Sequence, residues 1–265
     1  MCIGETIMDR WDDREKADDL NNDGVDLCDQ GKFEEAIKCF DEAIRLNPED
    51  ELVWFHKGLS LCELENYDGA ITCFDEAIRL NPKYDDAWFY KGDILFKQEK
   101  YQESIKCFDK AIGINPEFAL ALNAKGDSLD SLERYEEAIA CSDETIQLNP
   151  GDYITWGAKG YSLNSLESYE EAIGCFDEAI KINPEFFLPW YNRGIALLEL
   201  EEYYEAIRCF DKVIMLAPQV HDAWVPDAWL HKGNSLKQLG KYAQALTCYE
   251  KVLILEKRDD EECFT

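Results

Sequence analysis

Apolar and polar residues alternate along this chain with the period of an α-helix, in short segments that recur from end to end. One face of segment 51–64 has residues at i, i+4, i+7 and i+10, namely Trp54, Gly58, Leu61 and Leu64. Segment 67–80 shows helical spacing of its small and apolar residues too, and the polar dipeptide Glu65-Asn66 lies between the two. The pattern predicts two helices joined by a short turn.

The second helix has sequence signals at both ends. Asp68 places a negative charge in its first turn, where the helix dipole favours it. Asn81-Pro82 ends it, because proline lacks an N–H and disfavours helical dihedral angles in the residue before it. Gly58 and Ala70 are small, so we expect them where the two helices cross most closely, with aromatic side chains beside them.

The helix pair repeats with a step of 34 residues. Three residue types keep this step through six repeats: the prolines Pro48, Pro82, Pro116, Pro150, Pro184 and Pro218, the glycines Gly24, Gly58, Gly92, Gly126, Gly160 and Gly194, and the isoleucines Ile37, Ile71, Ile105, Ile139, Ile173 and Ile207. Two helices of this length cannot bury their apolar faces alone, so neighbouring pairs must stack. The sequence predicts an all-α fold built from stacked helix pairs.

These residues resemble the tetratricopeptide repeat (TPR) family over nearly the whole chain. The pattern is clearest as Trp54, Gly58, Leu61, Ala70, Phe74, Ala77 and Pro82, and it recurs around Trp88 and Trp156. The resemblance implies a right-handed α-solenoid, a superhelix of antiparallel helix pairs. This chain departs from the family at the residue before the glycine, where Lys or Arg replaces the usual Leu, as in Lys57 and Arg193.

The pattern predicts seven repeats with short additions. The expected segments are an N-terminal extension 1–16, repeats 17–50, 51–84, 85–118, 119–152, 153–186, 187–220 and 226–259, an insertion 221–225 and a tail 260–265. Because repeat 4 has Leu122 in place of Trp, Ser142 in place of Phe and Thr145 in place of Ala, we expect the weakest stacking there. The polar first helix suits an end cap, whereas the C-terminal edge is expected to expose Leu246, Val252 and Leu253 unless the last helix simply continues.

Net charge excludes several classes of partner. The 27 Lys+Arg against 56 Asp+Glu give a net charge of −29 and a pI near 4.3. A nucleic-acid or anionic-membrane partner is disfavoured, because proteins bind phosphate groups and anionic lipids through Lys and Arg side chains. The chain has no apolar run long enough to span a membrane, and no secretory signal or prenylation box is recognisable at its ends. We expect a cytoplasmic protein.

The 11 cysteines fit that compartment. Seven occupy one position of the second helices: Cys39, Cys73, Cys107, Cys141, Cys175, Cys209 and Cys248. We interpret them as small semi-buried residues, too far apart in successive repeats for disulfides; a redox pair of Cys28 and Cys62 is the alternative. We find no zinc, EF-hand, P-loop or nucleophile-elbow motif, so we expect no enzyme, no metal and no cofactor.

The TPR resemblance implies that first helices line a concave groove where a peptide docks. The candidate binding residues are Phe55, His56, Phe89, Tyr90, Asp93, Asn123, Asp127, Gly157, Tyr161, Asn164, Tyr191 and Asn192. Because groove positions hold aromatics, Asn and Asp but almost no cations, a basic and aromatic peptide is favoured over an acidic C-terminal carboxylate. Alternatively, Phe55 and Phe89 pack on the adjacent repeat.

Two functions remain open from the sequence. The first is a non-enzymatic adaptor or scaffold that binds a protein or peptide partner in the groove. The alternative is a self-associating structural scaffold, a homo-oligomer formed through the C-terminal edge or the groove.

Overall fold

A computed structural model describes residues 2–216 and 224–262, with side chains for 13–216 and 224–255. These residues form helices only, with no strand. The helices are α1 (Cys2–Asp29), α2 (Phe33–Leu46), α3 (Glu51–Glu63), α4 (Tyr67–Leu80), α5 (Asp85–Lys97), α6 (Tyr101–Ile114), α7 (Ala119–Asp130), α8 (Tyr135–Leu148), α9 (Tyr153–Ser165), α10 (Tyr169–Ile182), α11 (Phe187–Glu199), α12 (Tyr203–Leu216), α13 (Trp224–Gln238) and α14 (Tyr242–Glu262).

The chain forms two compact halves, residues 1–128 and residues 129–265, which divide within α7. In each half the two helices of a repeat pack together, and the second helix packs on the first helix of the next repeat, as in α3 with α4 and α4 with α5. Short connections between packed helices make neighbours antiparallel. The predicted fold class, all-α with stacked helix pairs, is confirmed.

The turn between the two helices of a repeat has a left-handed residue. It is glutamate in five repeats, with φ between 56° and 60°: Glu65, Glu99, Glu133, Glu167 and Glu201. In the first and last repeats the same place holds Gly31 and Gly240, each with φ of 73°. The left-handed residue ends the first helix: the N–H of Asn66 reaches back to the carbonyl of Leu61 at 2.8 Å.

The core of a repeat forms where its glycine meets its phenylalanine. Phe40, Phe74, Phe108, Phe176 and Phe210 are 0% exposed. A Cβ added to Gly58 would lie 2.6 Å from Cε1 of Phe74, so only glycine allows this approach. The expected close crossing at Gly58 and Ala70 is confirmed, since Ala70 is also 0% exposed. In repeat 4 the buried Ser142 takes the phenylalanine position, and the weaker stacking expected there stays a prediction.

Two polar links join successive repeats. The indole Nε1 of Trp54 donates to the carbonyl of Pro48 at 3.1 Å, and Trp88, Trp156 and Trp190 make the equivalent bond. The cation before each glycine forms an ion pair with an aspartate of the preceding repeat: Lys57–Asp41, Lys91–Asp75, Lys125–Asp109, Lys159–Asp143, Arg193–Asp177 and Lys232–Asp211. The Lys or Arg that replaces the family's usual Leu before the glycine therefore forms an ion pair between repeats.

In the first and last repeats, the helices run past the predicted segment boundaries. Helix α1 runs without a break from Cys2 to Asp29, so residues 2–16 continue directly into the first helix of repeat 1. Helix α13 begins at Trp224, so the end of the predicted insertion is helical. Helix α14 continues to Glu262 and includes the first residues of the predicted tail. Pro218, residues 221–223 and Cys263 lie outside the described residues.

Candidate peptide-binding face

The first helices form the inner face of each half. Helix α1 contacts α3 directly, and α11 contacts both α9 and α13. In the described part of the chain, no comparable contact joins successive second helices. Each stack is therefore closest on its first-helix side, which is the side where the sequence places its candidate residues.

In the N-terminal half, Phe55 is a core residue. It is 7% exposed and its ring lies 4.8 Å from that of Tyr84 and 5.6 Å from that of Tyr90. The expectation that Phe55 faces a ligand is therefore wrong, and the alternative that it packs on the adjacent repeat is the one observed. Phe89 is half-buried and packs at 5.1 Å on Phe118, so it is only partly available.

His56 and Tyr90 are half-buried beside this aromatic cluster. Nδ1 of His56 lies 2.9 Å from Oδ1 of Asn21 on α1, so it donates to that oxygen. Burial lowers the pKa of His56, partly offset by Asp50. Burial and the carboxylates Asp86 and Asp93 raise the pKa of Tyr90. Both side chains are therefore neutral at physiological pH and offer partly exposed ring surface.

The acidic candidates of this half differ in their pairing. Asp93 forms an ion pair with Lys97 at 2.9 Å, one turn further along α5. Asp127 is exposed to solvent, yet nearby protein atoms partly desolvate its carboxyl and raise the pKa of that group. Burial and then Asp85 raise the pKa of Asp86, in the first turn of α5. Asn123 is half-buried.

In the C-terminal half, Gly157, Tyr161 and Asn164 lie along one face of α9, at i, i+4 and i+7. Tyr161 is 47% exposed. A Cβ on Gly157 would meet only Pro189 of the next first helix, at 3.8 Å, so the glycine leaves room on this surface. Oδ1 of Asn164 is buried and has no hydrogen-bond partner among the described residues.

Tyr191 and Asn192 are half-buried on α11. Burial and then Asp227 raise the pKa of Tyr191, whose ring packs edge-on at 5.0 Å against Trp224 and at 5.9 Å against His231. Sequence reasoning missed Trp224 as a residue of this face. The signal was the local duplication DAWVPDAW, which brings a second tryptophan to the start of α13.

The nine described cysteines are free. Sγ of Cys28 lies 3.1 Å from Oγ of Ser60, and burial raises the pKa of Cys62 to about 12. A thiol with so high a pKa has almost no thiolate, so a reactive redox pair of Cys28 and Cys62 is disfavoured. Among the described residues, no group of three His, Cys, Asp or Glu side chains is arranged to hold a metal ion. None of the described helices combines the length and apolar character needed to cross a bilayer.

Sequence models of the tetratricopeptide repeat match most of the chain. They cover residues 17–50, 55–117, 93–153, 188–220 and 226–259, and a TPR repeat model covers 160–201. The chain belongs to the tetratricopeptide repeat family. No curated protein matches it by sequence.

Solved structures share the TPR fold with this chain at low sequence identity. YrrB, described as a TPR protein with an unusual peptide-binding site, has 24% identity over 68% of this chain and 93% of its own, with a TM-score of 0.61. MamA from Desulfovibrio magneticus RS-1 has 23% identity over 64% and 97%, with a TM-score of 0.61. The C-terminal part of a TPR repeat-containing protein from Cytophaga hutchinsonii has 16% identity over 89% and 95%, with a TM-score of 0.74.

Proposed function

We propose that this TPR protein is a non-enzymatic adaptor that binds a peptide or protein segment on its inner face. The observation that supports this most strongly is the buried oxygen of Asn164, which has no donor among the described residues. A buried acceptor left without a partner costs about 1–3 kcal/mol. Because this oxygen is buried, the Asn164 side chain must turn outwards to accept from an N–H of a bound peptide, and Gly157 leaves space on the same face for that movement.

Exposed aromatic and aliphatic side chains on first helices of the C-terminal half give the site its apolar part. Tyr161 is 47% exposed, Ile154 is 55% exposed and Leu230 is 39% exposed. Exposed apolar groups of this size on a first-helix face gain free energy when a partner covers them. YrrB, a TPR protein with a peptide-binding site, supports peptide binding as a use of this fold.

Charge favours a basic segment over an acidic one. In the N-terminal half, which has its own inner face, the carboxyl of Asp86 forms no ion pair with a described residue, and burial raises its pKa. A Lys or Arg of the partner would stabilise its ionised form, as it would that of the exposed Asp127. The chain's charge of −29 also attracts a basic partner over distance.

The proposal is tested with a library of fluorescent peptides rich in Lys, Arg and aromatic residues. We expect Tyr161→Ala and Asn164→Leu to weaken the best peptide about 5- to 30-fold each, which is about 1–2 kcal/mol. Tyr204→Ala is the matched control, because Tyr204 is 61% exposed on a second helix. Equal affinity of the peptide for the natural chain and all three variants, or selection of acidic peptides from the library, would contradict the proposal.

A further inference from the structure

The first six repeats each have a following repeat, so they show which side chains of a second helix belong to the inter-repeat interface. We number residues within each repeat from its first residue, so that position 21 is the isoleucine shared by repeats 1–6. Four of these side chains pack against the core cluster of the next repeat: Ile37, Ile139, Ile173 and Ile207. Position 21 is therefore an interface position.

Repeat 7 keeps apolar residues at the interface positions, but nothing described covers them. Positions 17, 21 and 28 are aromatic or isoleucine in repeats 1–6, and none of those side chains is exposed. In repeat 7 the same positions hold Tyr242, Leu246 and Leu253, which are 70%, 59% and 59% exposed. With Glu250 they lie along one face of α14, which we call the end face.

The acidic residue of the end face also lacks its usual counterpart. Position 25 is aspartate in six repeats, and each pairs with the position-7 cation of the next repeat at 2.5–2.7 Å. In repeat 7 this position is the exposed Glu250, and no ion pair joins it to a described residue. The end face thus has the same apolar and acidic positions as the second-helix side of the six inter-repeat interfaces inside the chain.

A second copy stacked head to tail does not supply the missing cation. Besides burial, Asp23 at position 7 of repeat 1 raises the pKa of Cys39, whereas Lys57 at position 7 of repeat 2 acts on the pKa of Cys73 in the opposite direction. Asp23 therefore occupies the place of the cation, and Leu20 replaces the tryptophan of position 4. Such stacking would bring Asp23 to Glu250, where like charges repel.

We propose that the end face of α14 docks an amphipathic helix of a partner protein, and that this helix has an aromatic residue followed three positions later by Lys or Arg. That chemistry is the one that Trp54 and Lys57 present to the preceding repeat inside this chain. The partner's cation meets Glu250, and its apolar side chains cover Leu246 and Leu253. This surface lies on a second helix, so the proposal is independent of peptide binding on the inner face.

The test uses the full chain and a fluorescein-labelled peptide with the sequence of residues 51–84, under reducing conditions. We expect saturable binding by fluorescence anisotropy. The double variant Leu246→Ser/Leu253→Ser should weaken it more than about tenfold, because it removes two apolar contacts. Glu250→Gln should weaken it about two- to fivefold, as for one exposed ion pair.

A charge swap tests the assigned contact. The peptide with Lys57→Glu should bind the natural chain less well, and Glu250→Lys should restore its affinity to within about twofold of the original pair. Thr247→Ser and Thr247→Lys are the controls, because position 22 is exposed in all seven repeats. They should change binding less than about twofold, and circular dichroism should show every variant folded.

Three results would overturn the proposal. One is unchanged binding by the Leu246→Ser/Leu253→Ser chain, and another is the absence of saturable binding. The third is concentration-dependent self-association in sedimentation velocity that the same double variant abolishes, because a second copy would then be the occupant of the end face. Loss of binding after Tyr161→Ala instead would place the peptide on the inner face.

Discussion

The left-handed residue in the turn between the two helices of a repeat is not the most stabilising choice in five repeats. Five glutamates adopt the left-handed conformation that glycine adopts in repeats 1 and 7. A side chain in this region costs about 1–2 kcal/mol, because Cβ approaches the following carbonyl oxygen. Glycine avoids that cost but adds about 0.5–1 kcal/mol of unfolded-chain entropy. Glycine at these positions would therefore make the folded chain slightly more stable than glutamate does.

Glu65→Gly should raise the free energy of unfolding by about 0.5 kcal/mol, the difference between these two effects. Glu63→Gly is the control, because Glu63 is exposed in the last turn of α3 and a helical glycine costs about 0.5–1 kcal/mol. Urea unfolding monitored by circular dichroism measures both. A destabilised Glu65→Gly chain would contradict the assigned backbone conformation.

His56 should make stability depend on pH in a defined direction. Burial lowers its pKa below the usual 6.5, so the unfolded chain binds the proton more readily than the folded chain. The contribution of neutral His56 is present above about pH 6.5 and is lost as pH falls through the lower folded pKa.

We expect the stability difference between the natural chain and His56→Gln to shrink between about pH 7.5 and 5.5. Comparing the two chains cancels the carboxyl groups, which titrate in both. The measurement is urea unfolding at several pH values. A difference that stays constant, or grows towards acid pH, would show that His56 is not buried as a neutral ring.

At the scale of elements, the contact between glycine and phenylalanine sets the distance between the two helices of a repeat. Gly58→Ala places a Cβ 2.6 Å from Cε1 of Phe74, which is 0% exposed and cannot move into solvent. We expect a loss of about 1–3 kcal/mol, typical of overpacking. Gly174→Ala, which meets no atom within 4 Å in the interior of α10, should instead gain up to about 1 kcal/mol.

The two alanine variants add the same methyl group, so their comparison isolates the contact. Thermal or urea unfolding should move the two midpoints in opposite directions. If both variants were stabilised equally, the helices would not be in the close contact described.

Much of this element-level structure is predictable from the sequence, because it follows from residues that recur. The 34-residue step gives the helix pairs, and the glycine and phenylalanine positions give the crossing. The left-handed turns are also indicated by the sequence, since two repeats have glycine, Gly31 and Gly240, at the position where the other five have glutamate. The limits of α1 and α13 were not predictable from the period, because both helices begin before the first residue of their 34-residue repeat.

The candidate site is less predictable than the fold. Phe55 and Tyr161 both hold groove positions in the pattern, yet one is 7% exposed and the other 47%. That difference depends on neighbouring rings, such as Tyr84 and Tyr90 beside Phe55. The buried oxygen of Asn164 depends on side-chain placement in three dimensions, which a repeat pattern does not specify.

At the scale of the whole molecule, this chain offers two kinds of surface to partners. On the inner faces of the first helices, the N-terminal half has acidic groups, and the C-terminal half has the exposed ring of Tyr161 and the unsatisfied oxygen of Asn164. The end face of α14 keeps the chemistry of an inter-repeat interface. Both favour basic partners, in keeping with a net charge of −29.

The most direct test of the central claim, peptide binding on the inner face, is site-specific photo-crosslinking. A photoreactive phenylalanine analogue replaces Tyr161 in one chain and Tyr204 in another, and each is irradiated with the best peptide from the basic and aromatic library. Both positions are exposed, but only Tyr161 lies on a first helix. We expect the peptide to crosslink at position 161 and not at 204; crosslinking at 204 alone, or equally at both, would contradict peptide binding on the inner face.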